Sequence, residues 1–305
     1  MHIPGGFLSG KPCWVTNLVS GGLLFAFLSK VKAIKDKSKL VYYSLVTALI
    51  FALQMLNFPI NNGTSGHFLG GALAFLVAGP YLGTLMISVV LAVQALFFND
   101  GGIVCLGANI LCMGIVGVWT PYLIHKIIST YNKALSIFIA SWSSVVTAAI
   151  TCSFLLAISG TIAFNKVFPA MVGIHSLIGI GEALLTLVVY FLFIDEKSAL
   201  KISNAFMKSK NVLVPLALTA IILATFISPF ASSFPDGLEK VAELKGFISK
   251  AINETLLISP MADYSMPLVK NSAISTGSAG FIGTLLSFIF AALTFFSLKR
   301  PKHTI

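Results

Sequence analysis

The sequence predicts an all-α polytopic membrane protein in which about nine helices cross the bilayer. Hydrophobic residues make up 57% of its 305 residues and charged residues only 10%, and its mean hydropathy is +0.94. Soluble domains carry roughly 25% charged residues, so a chain this apolar must be solvated by lipid. The apolar residues fall into separate stretches, most of them near the roughly 20 residues that a crossing requires. This pattern is typical of a bundle of membrane helices.

Short polar stretches separate the predicted spans from one another. The third span is short for a full crossing and stops at Gly79-Pro80, a pair that breaks helices. The last two spans follow a basic stretch and enclose a polar segment, which indicates a separate two-helix module behind the first seven helices. The predicted limits are 14–29, 40–58, 67–78, 81–98, 104–124, 135–162, 168–194, 212–230 and 279–298.

The basic residues predict the orientation. Most of the 20 Lys and Arg residues lie in loops that follow odd-numbered spans, at 30–39, 126–133, 197–210 and 299–302. Loops rich in Lys and Arg stay in the cytoplasm, so we expect the N-terminus outside and the C-terminus in the cytoplasm. A signal peptide would carry its positive charge before the first apolar run. Here the lysines follow that run, so we expect the N-terminus to be retained.

The first residues, Met1-His2-Ile3-Pro4, combine a free amine, an amide and an imidazole within two residues. The amine of Met1, the amide nitrogen of His2 and the near ring nitrogen of His2 can grip a divalent metal in two fused chelate rings. Ni²⁺ and Cu²⁺ suit a planar set of nitrogens best. Taken alone, the motif is also consistent with an ordinary chain start.

A second histidine, His67, lies in the glycine-rich run 63–67 together with Ser65. On the predicted topology this loop and Met1 fall on the same outer side, so His67 can supply a fourth nitrogen. The alternative is a histidine at a helix start that bonds only to a loop carbonyl.

Further polar residues occur where the predicted spans bend or end. Asp100 and Asn109 form a second polar edge, where a carboxylate or amide can orient a ligating imidazole through its other ring nitrogen or merely cap the next helix. Glu182 is the one acidic residue inside a predicted span, and such a carboxylate indicates a functional role. His175, seven residues earlier on the same helical face, is one candidate partner, and a backbone or hydroxyl donor is another.

Several other chemistries are disfavoured. The run 5–12 nearly matches a phosphate-binding loop, but Pro12 replaces the required hydroxyl residue, so we expect no nucleotide on this chain. The four cysteines lack metal-site spacing and are interpreted as packing residues. An intramembrane hydrolase using His175 and Glu182 would lack both a metal-binding helix motif and a paired nucleophile.

These motifs together resemble the CbiM/NikM family, the substrate-capture components of energy-coupling-factor importers for cobalt and nickel. The C-terminal part resembles the small N component of such importers, here fused behind the M part. The resemblance rests on 1–4, 63–67, 100–102, 106–109 and 179–182 for the M part and on Pro-Asp-Gly-Leu-Glu at 235–239 for the N part.

This resemblance implies a domain plan and a set of roles. The M component would cover 1–196, a basic cytoplasmic linker 197–210 and the N component, thought to help metal loading, 211–305. Met1, His2 and His67 would hold the metal in a near-planar set. The supporting or gating residues would be Ser65, Asp100, Asn109, His175 and Glu182. The family usually has an acid after Met-His-Ile-Pro; this chain has Gly5 there, and Asp100 is a candidate substitute.

The predicted function is therefore ATP-driven import of Ni²⁺ or Co²⁺ across the cytoplasmic membrane, with this chain as the binder rather than the enzyme. The implied partners are a transmembrane coupling subunit and two cytoplasmic ATPase subunits. The alternative is a capture component for an organic micronutrient such as a vitamin, which predicts a larger apolar cavity with aromatic walls. The ligand types lean to nickel but do not decide between the two metals.

Overall fold

The computed structural model describes residues 1–31, 34, 36–61, 63–195, 212–252 and 259–298. The predicted linker 197–210 lies outside the described residues. The described residues are mostly helical and contain only two two-residue strands, so the predicted all-α class is confirmed. The helices are α1 (Gly10–Lys30), α2 (Lys37–Gln54), α3 (Gly71–Val93), α4 (Leu106–Asn109), α5 (Gly117–Ile128), α6 (Lys133–Ile158), α7 (Phe164–Phe193), α8 (Leu213–Ile222), α9 (Gly237–Lys245) and α10 (Ser272–Ser297).

Wider π-helical turns continue three of these helices. Gln94–Phe98 extends α3, Ile110–Val116 joins α4 to α5, and Leu223–Ile227 extends α8. Short 3₁₀ turns follow at Ser228–Phe230, Ile248–Lys250 and Ala262–Tyr264. These turns bring Gly71–Phe98, Leu106–Ile128 and Leu213–Phe230 to 28, 23 and 18 residues, close to the length of a membrane span.

Within the described residues, seven helices are long and apolar enough to cross a membrane: Gly10–Lys30, Gly71–Phe98, Leu106–Ile128, Lys133–Ile158, Phe164–Phe193, Leu213–Phe230 and Ser272–Ser297. The predicted second span corresponds to α2, which is less apolar because it begins with Lys37 and Lys39. The predicted fourth span and all but the first four residues of the third lie within Gly71–Phe98. The protein is thus a multi-pass membrane protein.

Helix α3 is interrupted at Gly79, where the backbone adopts φ 74° and ψ 173°. A Cβ placed on Gly83 would lie 2.9 Å from the carbonyl carbon of Ala74. In an unbroken helix these residues, nine apart, would be separated by about 13 Å. The chain therefore folds back at Gly79-Pro80, and α3 comprises two helical segments side by side, as the predicted break between the third and fourth spans requires.

The two-residue strands β1 (Phe58–Pro59) and β2 (Ser65–Gly66) pair antiparallel, with Phe58 opposite Gly66. They close the loop between α2 and α3, and this loop carries His67 to the start of α3. The hairpin therefore determines where the imidazole lies relative to the bundle.

The C-terminal helices pack directly on the first seven-helix unit. Helices α8 and α10 lie against α2, and α9 lies against α7. A glycine permits this close approach: a Cβ on Gly283 of α10 would meet Cζ of Phe51 of α2 at 2.2 Å. The segment between α8 and α10 consequently covers the end of the bundle where the chain begins.

Candidate metal centre

The N-terminal residues of the chain are folded into the protein. Met1, Ile3 and Phe7 are buried, with Met1 only 2% exposed. The backbone of Ile3 is held by the side-chain amide of Asn109, whose Oδ1 accepts from the Ile3 nitrogen at 2.8 Å and whose Nδ2 donates to the Ile3 oxygen at 3.2 Å. The nitrogen of Gly102 also donates to the Ile3 oxygen, at 3.0 Å. Asn109 therefore fixes the position of the two residues that precede Ile3.

Gly102 provides a steric test of this docking. A Cβ at Gly102 would lie 2.4 Å from the nitrogen of Gly5 and 3.1 Å from the carbonyl carbon of Pro4, both backbone atoms. We expect Gly102→Ala to displace the N-terminal segment and to weaken metal binding at least tenfold in a calorimetric titration, because a misplaced donor cannot complete the set. Gly21→Ala is the matched control, since nothing lies within 4 Å of its Cβ and alanine favours a helix. Equal affinity in both variants would contradict this docking role.

The nitrogen of Met1 contacts Nε2 of His67, although the two residues are 66 positions apart. The ring of His67 also stacks on that of His2, with centroids 5.0 Å apart and planes 15° from parallel. His67 Nδ1 donates to the carbonyl oxygen of Phe68 at 3.0 Å. Since a carbonyl only accepts, the proton is on Nδ1 and the lone pair of Nε2 points at the Met1 nitrogen. The fold thus brings the three predicted ligand residues together.

Glu182 positions the backbone that follows His67. Its two carboxyl oxygens accept from the nitrogens of Leu69, at 2.7 Å, and Gly70, at 2.9 Å. The side chain is fully buried, and Gly70 adopts φ 82°, a left-handed conformation that glycine allows. Of the partners considered for this carboxylate, the structure selects the backbone donors; His175 is not among its hydrogen-bond partners.

The imidazole of His2 lies between two oxygen acceptors. Nε2 lies 3.1 Å from Oε1 of Gln94, and Nδ1 lies 3.1 Å from Oδ1 of Asp100. Burial lowers the pKa of His2 to about 4 and outweighs the Asp100 carboxylate, which raises it. A neutral imidazole has a single N–H, so one of its nitrogens directs a lone pair at an acceptor. A cation at that nitrogen would remove the conflict.

Asp236 completes the surroundings of the Met1 nitrogen. Its Oδ2 accepts from the terminal ammonium at 2.7 Å and lies 3.7 Å from Nε2 of His67, while its Oδ1 accepts from the nitrogen of Glu239 at 2.8 Å. Burial raises the pKa of this carboxyl, but the Met1 ammonium is the main opposing charge, and the pKa lies well below its usual range. Asp236 is therefore an anion in direct contact with the predicted donors.

A cavity of about 460 Å³ opens beside these groups, between the N-terminal segment and the C-terminal unit. His2, His67, Asp100 and Asp236 line it, and so does Tyr264. The hydroxyl of Tyr264 donates to Oδ2 of Asp100 at 2.6 Å and accepts from Nε2 of Gln94 at 3.1 Å. Tyr264, Asp100 and Gln94 thus form one hydrogen-bonded network with His2 along this side of the cavity.

No three His, Cys, Asp or Glu side chains converge as a ligand group in the part of the chain that the structure describes. A metal held here would consequently depend on main-chain nitrogens as well as on imidazoles. The amine of Met1 is the main-chain group that the fold brings to His67.

The other predicted residues lie around the site rather than in it. The nitrogen of Ser65 donates to the oxygen of Pro235 at 2.9 Å, and its hydroxyl donates to the oxygen of Phe234 at 2.7 Å. His175 is fully buried; its Nδ1 donates to the oxygen of Met171 at 2.8 Å, and its Nε2 has no hydrogen-bond partner among the described residues. Both residues pack against the turn that carries Asp236.

Three residues of the network were not singled out from the sequence: Gln94, Asp236 and Tyr264. Gln94 had a usable signal in the sequence, because it is an amide side chain inside a mostly apolar predicted span. Asp236 was noted only as part of the Pro-Asp-Gly-Leu-Glu motif, and Tyr264 not at all. Their contacts with the other site residues cross 92 to 235 residues of chain, a distance over which local patterns carry no signal.

Comparison with known proteins places these features in a family. Residues 2–200 match the family model described as the cobalt uptake substrate-specific transmembrane region, CbiM, and residues 210–300 match the PDGLE domain. Among curated relatives, a putative fused nickel transport protein NikMN of Archaeoglobus fulgidus is 35% identical over the full length of both chains. The cobalt transport protein CbiM of Acetoanaerobium sticklandii is 35% identical over 64% of this chain and 85% of its own.

Solved structures agree with the sequence relatives. A transition metal transporter, 30% identical, superposes with a TM-score of 0.59 over 67% of this chain and 95% of its own. A truncated transition metal transporter, also 30% identical, gives 0.58 over 63% and 97%. The resemblance noted in the sequence is confirmed: this chain belongs to the CbiM family of metal-uptake transmembrane proteins and carries a PDGLE domain behind the CbiM region.

Proposed function

We propose that this protein captures Ni²⁺ or Co²⁺ as the substrate-specific component of an importer in the cytoplasmic membrane. The observation that carries the proposal is the contact of the Met1 nitrogen with Nε2 of His67, beside the stacked ring of His2. The proposed ligands are the Met1 amine, the amide nitrogen and Nδ1 of His2, and Nε2 of His67. The relatives' names as nickel and cobalt transport proteins support this choice of cargo.

The donor chemistry fits a transition metal. Imidazole nitrogens suit nickel and cobalt, and a planar nitrogen set favours nickel. Binding would change two groups of the described structure. The ammonium of Met1 would lose a proton so that its lone pair faces the metal. Nδ1 of His2 would contact the metal in place of Asp100. Asn109 and Glu182 hold the segments on either side, so neither the chain start nor His67 needs to move far.

The carboxylates of the cavity argue for a cation over an organic micronutrient. Asp100, Asp236, Glu239 and Asp263 all contribute to its lining, together with both imidazoles. A vitamin site would be walled mainly by apolar and aromatic groups. The carboxylates of this wall therefore support a cation as the proposed cargo.

Transport requires partners that this chain would recruit. In the proposed importer a transmembrane coupling subunit and two cytoplasmic ATPase subunits supply the energy, and this chain binds metal without binding nucleotide. The excess of lysine in the loops after odd-numbered spans supports an outer N-terminus, which would place the site where external metal arrives.

The proposal is tested by comparing two histidine variants of the purified protein. We expect the wild type to bind one Ni²⁺ or Co²⁺ per chain and His67→Ala to lose that stoichiometric binding. His125→Ala is the matched control, because this imidazole hydrogen-bonds Ser136 at 2.8 Å and does not line the cavity. Absence of binding in the wild type, or full binding in His67→Ala, would overturn the proposal. Elemental analysis after growth with both metals would identify the cargo.

A further inference from the structure

We propose that Asp236 is the counter-ion of the metal site, supplied by the C-terminal unit, and that it raises the affinity and speed of metal capture. This inference rests on the proposed function. It assigns to one carboxylate of the PDGLE region a defined electrostatic role toward the amine of Met1.

The position of Asp236 is fixed from both sides in sequence. Ser65 binds the carbonyl oxygens of Phe234 and Pro235 through its hydroxyl and nitrogen. On the other side, a Cβ on Gly237 would lie 2.8 Å from Cε1 of His175, so the chain passes against that ring with room only for glycine. The turn is therefore docked between the hairpin loop and α7, and the carboxylate between these anchors faces the Met1 nitrogen.

The two oxygens of Asp236 have separate tasks. Oδ1 caps α9 by accepting from the Glu239 nitrogen, and Oδ2 accepts from the ammonium of Met1. A cap needs only an acceptor, which asparagine or serine also provides. The second oxygen, directed at a buried charge 235 residues away, is not explained by capping.

The charge of the site explains why an anion is needed there. A buried ammonium is strongly unfavourable without a partner, and Met1 is almost fully buried. In the proposed complex the cation contributes two positive charges, the Met1 amine is neutral and the deprotonated His2 amide contributes one negative charge. The net charge of +1 equals that of the Met1 ammonium before the metal binds. Two protons leave to water. Asp236 therefore balances the site before and after binding and need not be displaced.

Removal of the charge while the cap is kept should separate the two tasks. Asp236→Asn retains an N-cap acceptor but not the anion, and we expect the nickel affinity to fall about 10- to 100-fold, the usual effect of losing a partner group around a metal site. The association rate in stopped-flow mixing should fall as well. Glu243→Gln is the matched control: it removes an acidic charge from the same helix, where Glu243 pairs with Lys240 and does not line the cavity.

A measurement on the unmodified chain complements the variant. A water-soluble carbodiimide joins a carboxylate to an amine that it contacts, so we expect mass spectrometry to find an amide between Asp236 and the Met1 nitrogen, suppressed by bound nickel. Asp236→Asn with wild-type affinity and rate would overturn the inference, and so would absence of the 1–236 cross-link. Neither result contradicts the proposed function if the wild type binds nickel and His67→Ala does not. A wild-type protein that binds no nickel would instead contradict the proposed function itself.

Discussion

Placing two glycines ahead of Met1 is expected to weaken nickel binding about a hundredfold and to abolish uptake. The added residues move the amine out of the fused chelate rings and force new peptide groups into a position where Met1 is 2% exposed. Structural metal sites bind with about 10–16 kcal/mol over four ligands, so loss of one donor costs roughly 3 kcal/mol, or about a hundredfold in affinity. Calorimetric titration of the purified variant measures this loss.

Acetylation of the Met1 amine should have the same effect without a change in length. Two glycines added after Ile305 are the control, and mass spectrometry of each protein establishes the residue that carries the free amine. Unchanged affinity in the extended or acetylated protein would remove the amine from the donor set.

Glu182→Gln is expected to lower both the stability of the protein and its metal affinity. Glu182 accepts from the nitrogens of Leu69 and Gly70 with separate oxygens. A glutamine has a single acceptor oxygen and directs its NH₂ group at the other donor, which leaves a buried N–H without a partner. The cost is about 1–3 kcal/mol. His67 lies two residues before Leu69, so its ring should shift and the nickel affinity should fall about tenfold or more.

The control for this variant lies on the same helix. Thr186 is buried and its hydroxyl has no hydrogen-bond partner among the described residues, so Thr186→Val should leave stability and binding nearly unchanged. The thermal unfolding midpoint in detergent and the metal occupancy, measured together, distinguish the two variants. A Glu182→Gln protein with a wild-type midpoint and occupancy but no uptake would assign this carboxylate to transport instead.

The helical architecture was predictable because hydrophobicity over some twenty residues reports solvation by lipid. α6 and α7 begin within four residues of the predicted spans, and the break at Gly79-Pro80 follows from residues that cannot continue a helix. Helix α10 begins at Ser272, seven residues before the predicted start. Its first turns are small and polar, and the Asn271 side chain caps them by accepting from Ile274 at 3.0 Å. A capping contact of this kind does not register in a hydrophobicity profile.

The site was only partly predictable. Met1, His2 and His67 carry their chemistry in the residue types and their spacing. The choice of backbone donors by Glu182, and the arrival of Asp236 at the chain start, depend on how α7 and α9 pack, which no local pattern encodes. The sequence also predicted that Asp100 could orient His2 through the ring nitrogen that does not bind the metal. In the structure Asp100 faces Nδ1, the proposed ligand atom, because Gln94 already contacts Nε2.

The location of Asp236 on the same polypeptide as Met1 has a consequence for how the protein responds to dilution. A tethered group meets its target at an effective concentration set by the length of the intervening chain, commonly in the millimolar range, whatever the amount of protein present. The contact between Asp236 and the Met1 nitrogen is therefore intramolecular, and its formation does not depend on the protein concentration. Two separately made polypeptides would assemble the same constellation only above their mutual dissociation constant.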